Sequence, residues 1–330
     1  MLNTKARAIR LVELVLLGSA AALFIVGTYL GDTFFLRLAT ESLIFGGLAL
    51  SVDLLLGVVG LLSLGQALYF GFGAYLSALI LKELASSFAL AILIVTIASA
   101  ILGWVASFIA LRSKGVYFAL ITFGLAQVAA KVVYNTRSLG ASDGMMGVPI
   151  LQIWTPFGLI DTSHPGIFFL ICLLTISILY GILKYFLSTP TGSLWLAIQS
   201  NENRLAYIGY KSKGPKQVAF ILAAVVAAVS GALYPMLRGF VSPELMFFSV
   251  SGNAVVTVVL GGVGTLIGPI LGSVLLTSFK SVIGTWTSHH HIVIGLIFVA
   301  IVISAPKGLI GLIVTRMNKV DAKKEEGKHE

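Results

Sequence analysis

Runs of about twenty mostly apolar residues follow one another along nearly the whole of this 330-residue sequence. That repeat length restricts the fold more than any motif, because about twenty helical residues cross the hydrocarbon core of a bilayer. In lipid every backbone polar group must be satisfied within the chain, which leaves helices or closed barrels. The runs fall near 11–30, 36–56, 60–81, 88–111, 115–135, 166–187, 218–237, 266–284 and 290–305, with a shorter one at 250–261. Hydrophobic residues make up 58% of the chain and charged residues 11%, against about 25% charged in soluble domains. So few charges could not cover a soluble surface of this size, and disordered chains are apolar-poor and charge-rich. The expectation is an all-α polytopic membrane helical bundle of about ten transmembrane segments. It forms one domain over 1–330, with its membrane region at 11–305.

The few charges set the orientation. With the N-terminus inside, ten spans place Lys5, Arg7, Arg10, Arg112, Lys114, Lys184, Arg204, Lys211, Lys213, Lys216, Lys307, Arg316, Lys319, Lys323, Lys324 and Lys328 on one side. That is 16 of the 22 basic residues, the bias expected of cytoplasmic loops. Both termini, including a charged tail at 306–330, are expected in the cytoplasm. The net charge of +9 is then a topology signal and not a nucleic-acid signature. The run at 11–30 is too long for a typical signal-peptide core, so it reads as a retained first span.

Two polar segments interrupt the pattern: an extracytoplasmic loop at 136–165, with Asp143, Trp154 and Asp161, and a cytoplasmic segment at 188–217. In the second, Leu194, Ala197, Ile198, Leu205 and Ile208 recur at helical spacing opposite Gln199, Asn203 and Arg204. Gly209, Gly214 and Pro215 are expected to end that helix. Such an amphipathic helix lies on the bilayer interface or docks on a cytoplasmic partner.

Glycine marks close approach or broken helices. Gly264, Gly268 and Gly272 are spaced by four, baring one helical face, with Pro269 expected to bend it or free a carbonyl. The boundary near Gly57 and Gly60 within the nearly unbroken run 36–81 is uncertain, Gly60 and Gly65 belong to a glycine-dense element there, and Gly261 opens a further cluster. Either side of such a break is a candidate re-entrant or half helix facing a pathway. Polar groups within spans are costly and point to function, which singles out Asp53, Ser63, Gln66, Gln127 and Asn253. Arg37 and Glu41, four apart, read as a local ion pair, and Lys131 and Lys280 as side chains snorkelling outward. His289, His290 and His291 are consecutive and cannot converge on one ion from a regular helix, so no metal site is expected. Cys172 stands alone in an apolar run. No G-x-x-x-x-G-K-[ST] or H-E-x-x-H motif occurs, so no ATP-hydrolysing site of that kind is expected in this chain, and no catalytic residue is expected either.

Three stretches carry a resemblance. They are Ser51 to Gln66 (SVDLLLGVVGLLSLGQ) with Phe70 to Tyr75 (FGFGAY); Gly115 to Thr122 (GVYFALIT) with Ser142, Asp143 and Gly144; and Thr191 to Tyr210 with Gly261 to Pro269 (GGVGTLIGP). In this order, over most of 45–275, the chain resembles permease subunits of ABC importers for branched-chain amino acids, the longer of the two permeases such systems pair. The resemblance implies alternating access, with no cofactor in this chain and ATP and Mg held by partners. Those partners are two ATPase subunits, a second related permease and an extracytoplasmic solute-binding protein, in a bacterial or archaeal cytoplasmic membrane.

It also implies that the 188–217 segment couples to the ATPases through Ala197, Asn201, Glu202, Ala206 and Gly209. The sequence departs from the family pattern at Ser193 and Gln199, where Arg is common, at Asp53, where many members have Asn, and at Gln66, where many have His. Urea and short-chain amide permeases often share the Asp and Gln, so amides are the alternative solutes. Readings of another class are a stand-alone channel or ion-coupled carrier, for which Asp53 is the main candidate relay group, and a structural scaffold.

Overall fold

The computed structural model describes residues 2–30, 33–84, 87–149, 152–155, 158–161 and 164–286, and beyond these 292, 295–296, 299, 303 and 308–314. Most of the expected last span at 290–305 lies outside the described residues, as do His289, His290, His291, Lys307 and the tail beyond 314.

The helices are α1 (Leu2–Leu30), α2 (Thr33–Asp53), α3 (Gln66–Leu79), α4 (Phe88–Ala110), α5 (Val116–Asn135), α6 (Pro165–Ser188), α7 (Pro190–Tyr207), α8 (Lys213–Arg238), α9 (Phe248–Gly261) and α10 (Ile267–Trp286). α2 runs on without a break into a π-helical segment, Leu54–Val59. Among the described residues seven helical elements are long and apolar enough to cross a membrane: α2 with its extension, α3 continued by a second π-helical segment, Ile80–Leu84, and α4, α5, α6, α8 and α10. α9 is a shorter apolar helix. The loop expected at 136–165 is not featureless. It holds an antiparallel ribbon of β2 (Gln152–Thr155) and β3 (Gly158–Asp161), and β1 (Met145–Met146) pairs with β4 (Phe240–Val241) after α8.

α2 is the axis of the bundle: 89% of its most apolar stretch is buried, against 22% for α4. The contrast follows from solvent, since in lipid a helix that is apolar all round needs no cover. α4 turns Leu93, Ile97, Ile101 and Trp104 outward and keeps Ala91, Val95, Ser99, Ala106 and Ala110 inward against α8. α8 also packs on α3 and α2. The α3–α8 contact is built from glycine: a Cβ on Gly73 would collide with the Ala228 carbonyl, and one on Gly231 with the Phe70 carbonyl. Two backbones touch there because neither helix carries a side chain at the crossing.

Several expected boundaries move. The run from 60 is not helical at its start: Gly60, at φ +81°, ends the π-helical segment, and helix resumes only at Gln66. The non-helical stretch and the first turn of α3 are held from outside, Leu64 N–H donating to Thr122 Oγ1 at 3.2 Å and Ala67 N–H to Ser251 Oγ at 3.0 Å. Gly264 (φ +73°) precedes α10, so the bare helical face consists of Gly268 and Gly272, fitted against Gly261 and the Thr257 carbonyl of α9. Pro269 lies in the first turn of α10, where its missing N–H has no helical partner, and does not bend the helix midway. For the same reason Gly214 and Pro215 open α8 instead of closing α7.

Candidate functional site

Two regions with functional chemistry lie at opposite ends of α2. From Glu41 to Gly57 is sixteen residues, about 24 Å along a helix axis.

At the Gly57 end the main element is α7. It is two helical pieces joined at Asn201, whose extended backbone (φ −165°, ψ 100°) breaks the helix. The Asn201 Oδ1 accepts the Arg204 N–H at 3.0 Å, capping the second piece. This break redirects the expected apolar face: Trp195, Ile198 and Leu205 are buried, whereas Ile208 is exposed. Trp195 Nε1 donates to the Pro215 carbonyl at 2.8 Å and pins the first piece to α8. Glu202, just past the break, joins the two helices: its Oε1 takes Lys216 Nζ and Ser212 Oγ at 2.7 Å each, with Lys114 Nζ at 3.9 Å. Partial burial pushes the Glu202 carboxyl up, but the hydrogen bonds from Lys216 and Ser212 and the charges of Lys216 and Lys114 outweigh it and hold it below 4.5. A carboxyl lowered by folding contributes its full stability above the ordinary value and loses it as pH falls through the lowered one. Amides of 203–212 should therefore lose hydrogen-exchange protection below about pH 4.5, after correction for intrinsic rates, and Glu202→Gln should remove that dependence.

Beyond Glu202 the surface is open. Ala206, Tyr207, Ile208, Gly209 and Tyr210 are exposed, Gly209 turning the chain at φ +86°. On its inner side α7 meets the end of α2: Gln199 Nε2 donates to the Gly57 carbonyl at 2.5 Å. A Cβ on Gly57 would collide with Asp53 Oδ1 and the Gly264 backbone. Asp53 itself is fully buried and accepts the N–H groups of Gly264 at 2.6 Å and Leu266 at 2.9 Å. Leu266 sits at φ +58°, an unfavourable conformation for leucine that these bonds help to hold. A carboxylate suits this loop, because its two oxygens accept both N–H groups at once.

At the other end a cavity of about 730 Å³ opens between α2, α8, α9 and α10. Its wall mixes apolar groups such as Phe45, Leu48 and Leu276 with Asn253, Thr257 and Thr277. Arg37, Glu41, Arg238 and Lys280 also line it. Glu41 does not pair with Arg37, four residues away; its partner is Arg238 at the end of α8, Oε2 to Nη2 2.7 Å. Tertiary packing brings α8 to the carboxylate, which local spacing could not reveal. Lys280 lines the cavity, whereas Lys131 lies over the Tyr134 ring at 5.2 Å.

Of the five polar residues singled out within spans, only Asn253 lines this cavity. Ser63 and Gln66 are buried in and just after the non-helical stretch, Gln66 Nε2 lying 3.5 Å from Ser63 Oγ while Gln66 Oε1 has no partner. Gln127 stands on α5 with its Nε2 unpartnered. Among the described residues no group of His, Cys, Asp or Glu could hold a metal ion.

The family profile described as "Branched-chain amino acid transport system / permease component" matches residues 34–302, a stretch that takes in both regions. The chain belongs to this family. The permease is 28% identical over 293 residues to the high-affinity branched-chain amino acid transport system permease protein LivM of Escherichia coli, covering 83% of this chain and 69% of the relative. The LivM protein of Salmonella typhimurium matches to the same extent. No solved structure matches the permease. Membership makes it a permease component with multiple membrane-spanning helices, and α2 joins its cavity to its exposed α7 face.

Proposed function

We propose that this permease is the membrane subunit of an ATP-driven, binding-protein-dependent importer that carries branched-chain or other hydrophobic amino acids inward by alternating access. Both termini and α7 then lie in the cytoplasm and the 730 Å³ cavity faces outward. A solute-binding protein delivers to the cavity, a second related permease completes the pathway, and two ATPase subunits holding ATP and Mg dock on α7. The observation that carries this reading is the contact of Gln199 with the Gly57 carbonyl. It joins an exposed helix, with no ATP-binding motif of its own, to the helix whose far end lines the cavity. Free energy released on a partner moves the solute only through contacts that differ between states. The exposed Tyr207, Ile208 and Tyr210 give the docking surface its apolar centre.

The chemistry at Asp53 favours this reading over an ion-coupled carrier. Both carboxylate oxygens of Asp53 are engaged by the backbone N–H groups of Gly264 and Leu266, which ties the group to the loop before α10 and not to a relay. The amide alternative rests on Asp53 and Gln66, which urea-type permeases often share.

The test is Gln199→Ala and Glu202→Ala in the reconstituted importer. Removing Glu202 leaves the buried Lys216 ammonium unpaired, costing about 1–3 kcal/mol locally. ATP hydrolysis should continue while uptake per ATP falls about tenfold, the equivalent of roughly 1.4 kcal/mol of lost coupling. Unchanged uptake in both variants, with normal assembly, would sink the coupling role of α7.

A further inference from the structure

We infer that Arg37 and Lys280 form a carboxylate-recognition subsite in the cavity, so that the solute is held there by its acid group and not by an amine or amide. The inference rests on the reading of this cavity as part of the solute pathway.

The charges are unbalanced. Three cations, Arg37, Arg238 and Lys280, face the cavity against one carboxylate, Glu41. Arg238 and Glu41 satisfy each other at 2.7 Å. Neither Lys280 nor Arg37 makes an ion pair within 4.0 Å among the described residues. Cations on membrane-spanning helices are costly without an anionic partner or water, and this cavity supplies room for both. The two stand on different helices, Arg37 on α2 and Lys280 on α10, so an anion between them is gripped from two sides. The guanidinium matches the fork of a carboxylate and the ammonium adds a point charge.

The other groups fix the remaining chemistry of the solute. An ammonium entering the cavity would find only Glu41, already shared with Arg238. An uncharged amide would leave both cations without a partner. Phe45, Leu48 and Leu276 offer an apolar wall for a short hydrocarbon chain, and Asn253 and Thr257 serve polar atoms or water. The solute class is a small aliphatic acid, for which the amino group is optional.

The test uses Thr277→Cys in the complete importer in proteoliposomes. Thr277 lines the cavity, and the native Cys172 is fully buried and adds no background. A negatively charged methanethiosulfonate should modify this cysteine about fivefold or more faster than a positively charged one, as a focused positive potential requires. Leucine and 4-methylpentanoate should both slow the modification, while leucinamide and urea at the same concentration should not. Arg37→Gln with Lys280→Gln should abolish the charge preference and the protection, and Arg37→Lys, which keeps the charge, should retain both. Protection by leucinamide or urea equal to that by leucine overturns the subsite, and so does protection by leucine that survives the double variant. Modification with no solute protection also overturns it, leaving the two cations as groups that face water or lipid phosphate. Failure of both reagents to reach the cysteine in every nucleotide state overturns the pathway reading beneath it.

Discussion

Gly231→Leu is expected to leave almost no assembled permease, and Gly73→Leu should do the same. At each position the atom in the way is a backbone carbonyl, of Phe70 and Ala228 respectively. A side chain in the way could change rotamer, but a helical carbonyl cannot move without its helix. The two helices must part, and the packing of Phe70, Ala74 and Ala78 against the α8 alanines goes with them. Ordinary overpacking costs about 1–3 kcal/mol, and separating a helix pair adds to it, so roughly 3 kcal/mol or more is expected. That is a large share of a membrane protein's margin. The readout is the monodisperse fraction on size-exclusion chromatography of a fluorescent fusion. Gly181→Leu is the control, since a Cβ there meets nothing within 4 Å. Gly231→Leu protein that elutes and melts like the parent would show that the crossing is not as close as described.

The second large effect is expected at Asp53. Asp53→Ala strands the N–H groups of Gly264 and Leu266 in a buried site, at about 1–3 kcal/mol each. It also releases the left-handed Leu266, so the loop between α9 and α10 should relax away from Gly57. Uptake should fall at least about tenfold and the melting temperature should drop together with it. Asp53→Asn keeps one acceptor oxygen but turns an NH₂ toward the second N–H, so it should be intermediate. A pathway role would look different, with uptake lost from a fully stable protein.

Most of the helical framework was legible because the length of an apolar run is a property of single segments. The runs at 88–111, 115–135 and 166–187 reappear as α4, α5 and α6 within a few residues. The helix of α7 was legible from the spacing of Leu194, Ile198 and Leu205, although the break at Asn201 was not, because an Asn within a polar helix is ambiguous between interior and cap. The cavity was the least legible part. Arg37 and Glu41 satisfy the local pairing rule so well that nothing in the string points to Arg238, almost 200 residues away. Lys280 looked like an ordinary snorkelling residue for the same reason. Only the folding of α8 and α10 beside α2 converts three unrelated cations into one lining.

The wide turn that extends α2 bears on how movement crosses the molecule. Over Leu54–Val59 the helix is wound with more residues per turn than its neighbours, and both Gly60 N–H and Leu61 N–H close on the Leu55 carbonyl. Such a segment holds spare chain length. If α7 pulls on the Gly57 carbonyl, the least disruptive response is to exchange one bonding partner for the next. Displacement along α2 then comes in whole-residue increments of about 1.5 Å, not as a continuous stretch. A packed helix that advances in such increments has two settings and little between them, which is the behaviour of a ratchet tooth and not of a spring.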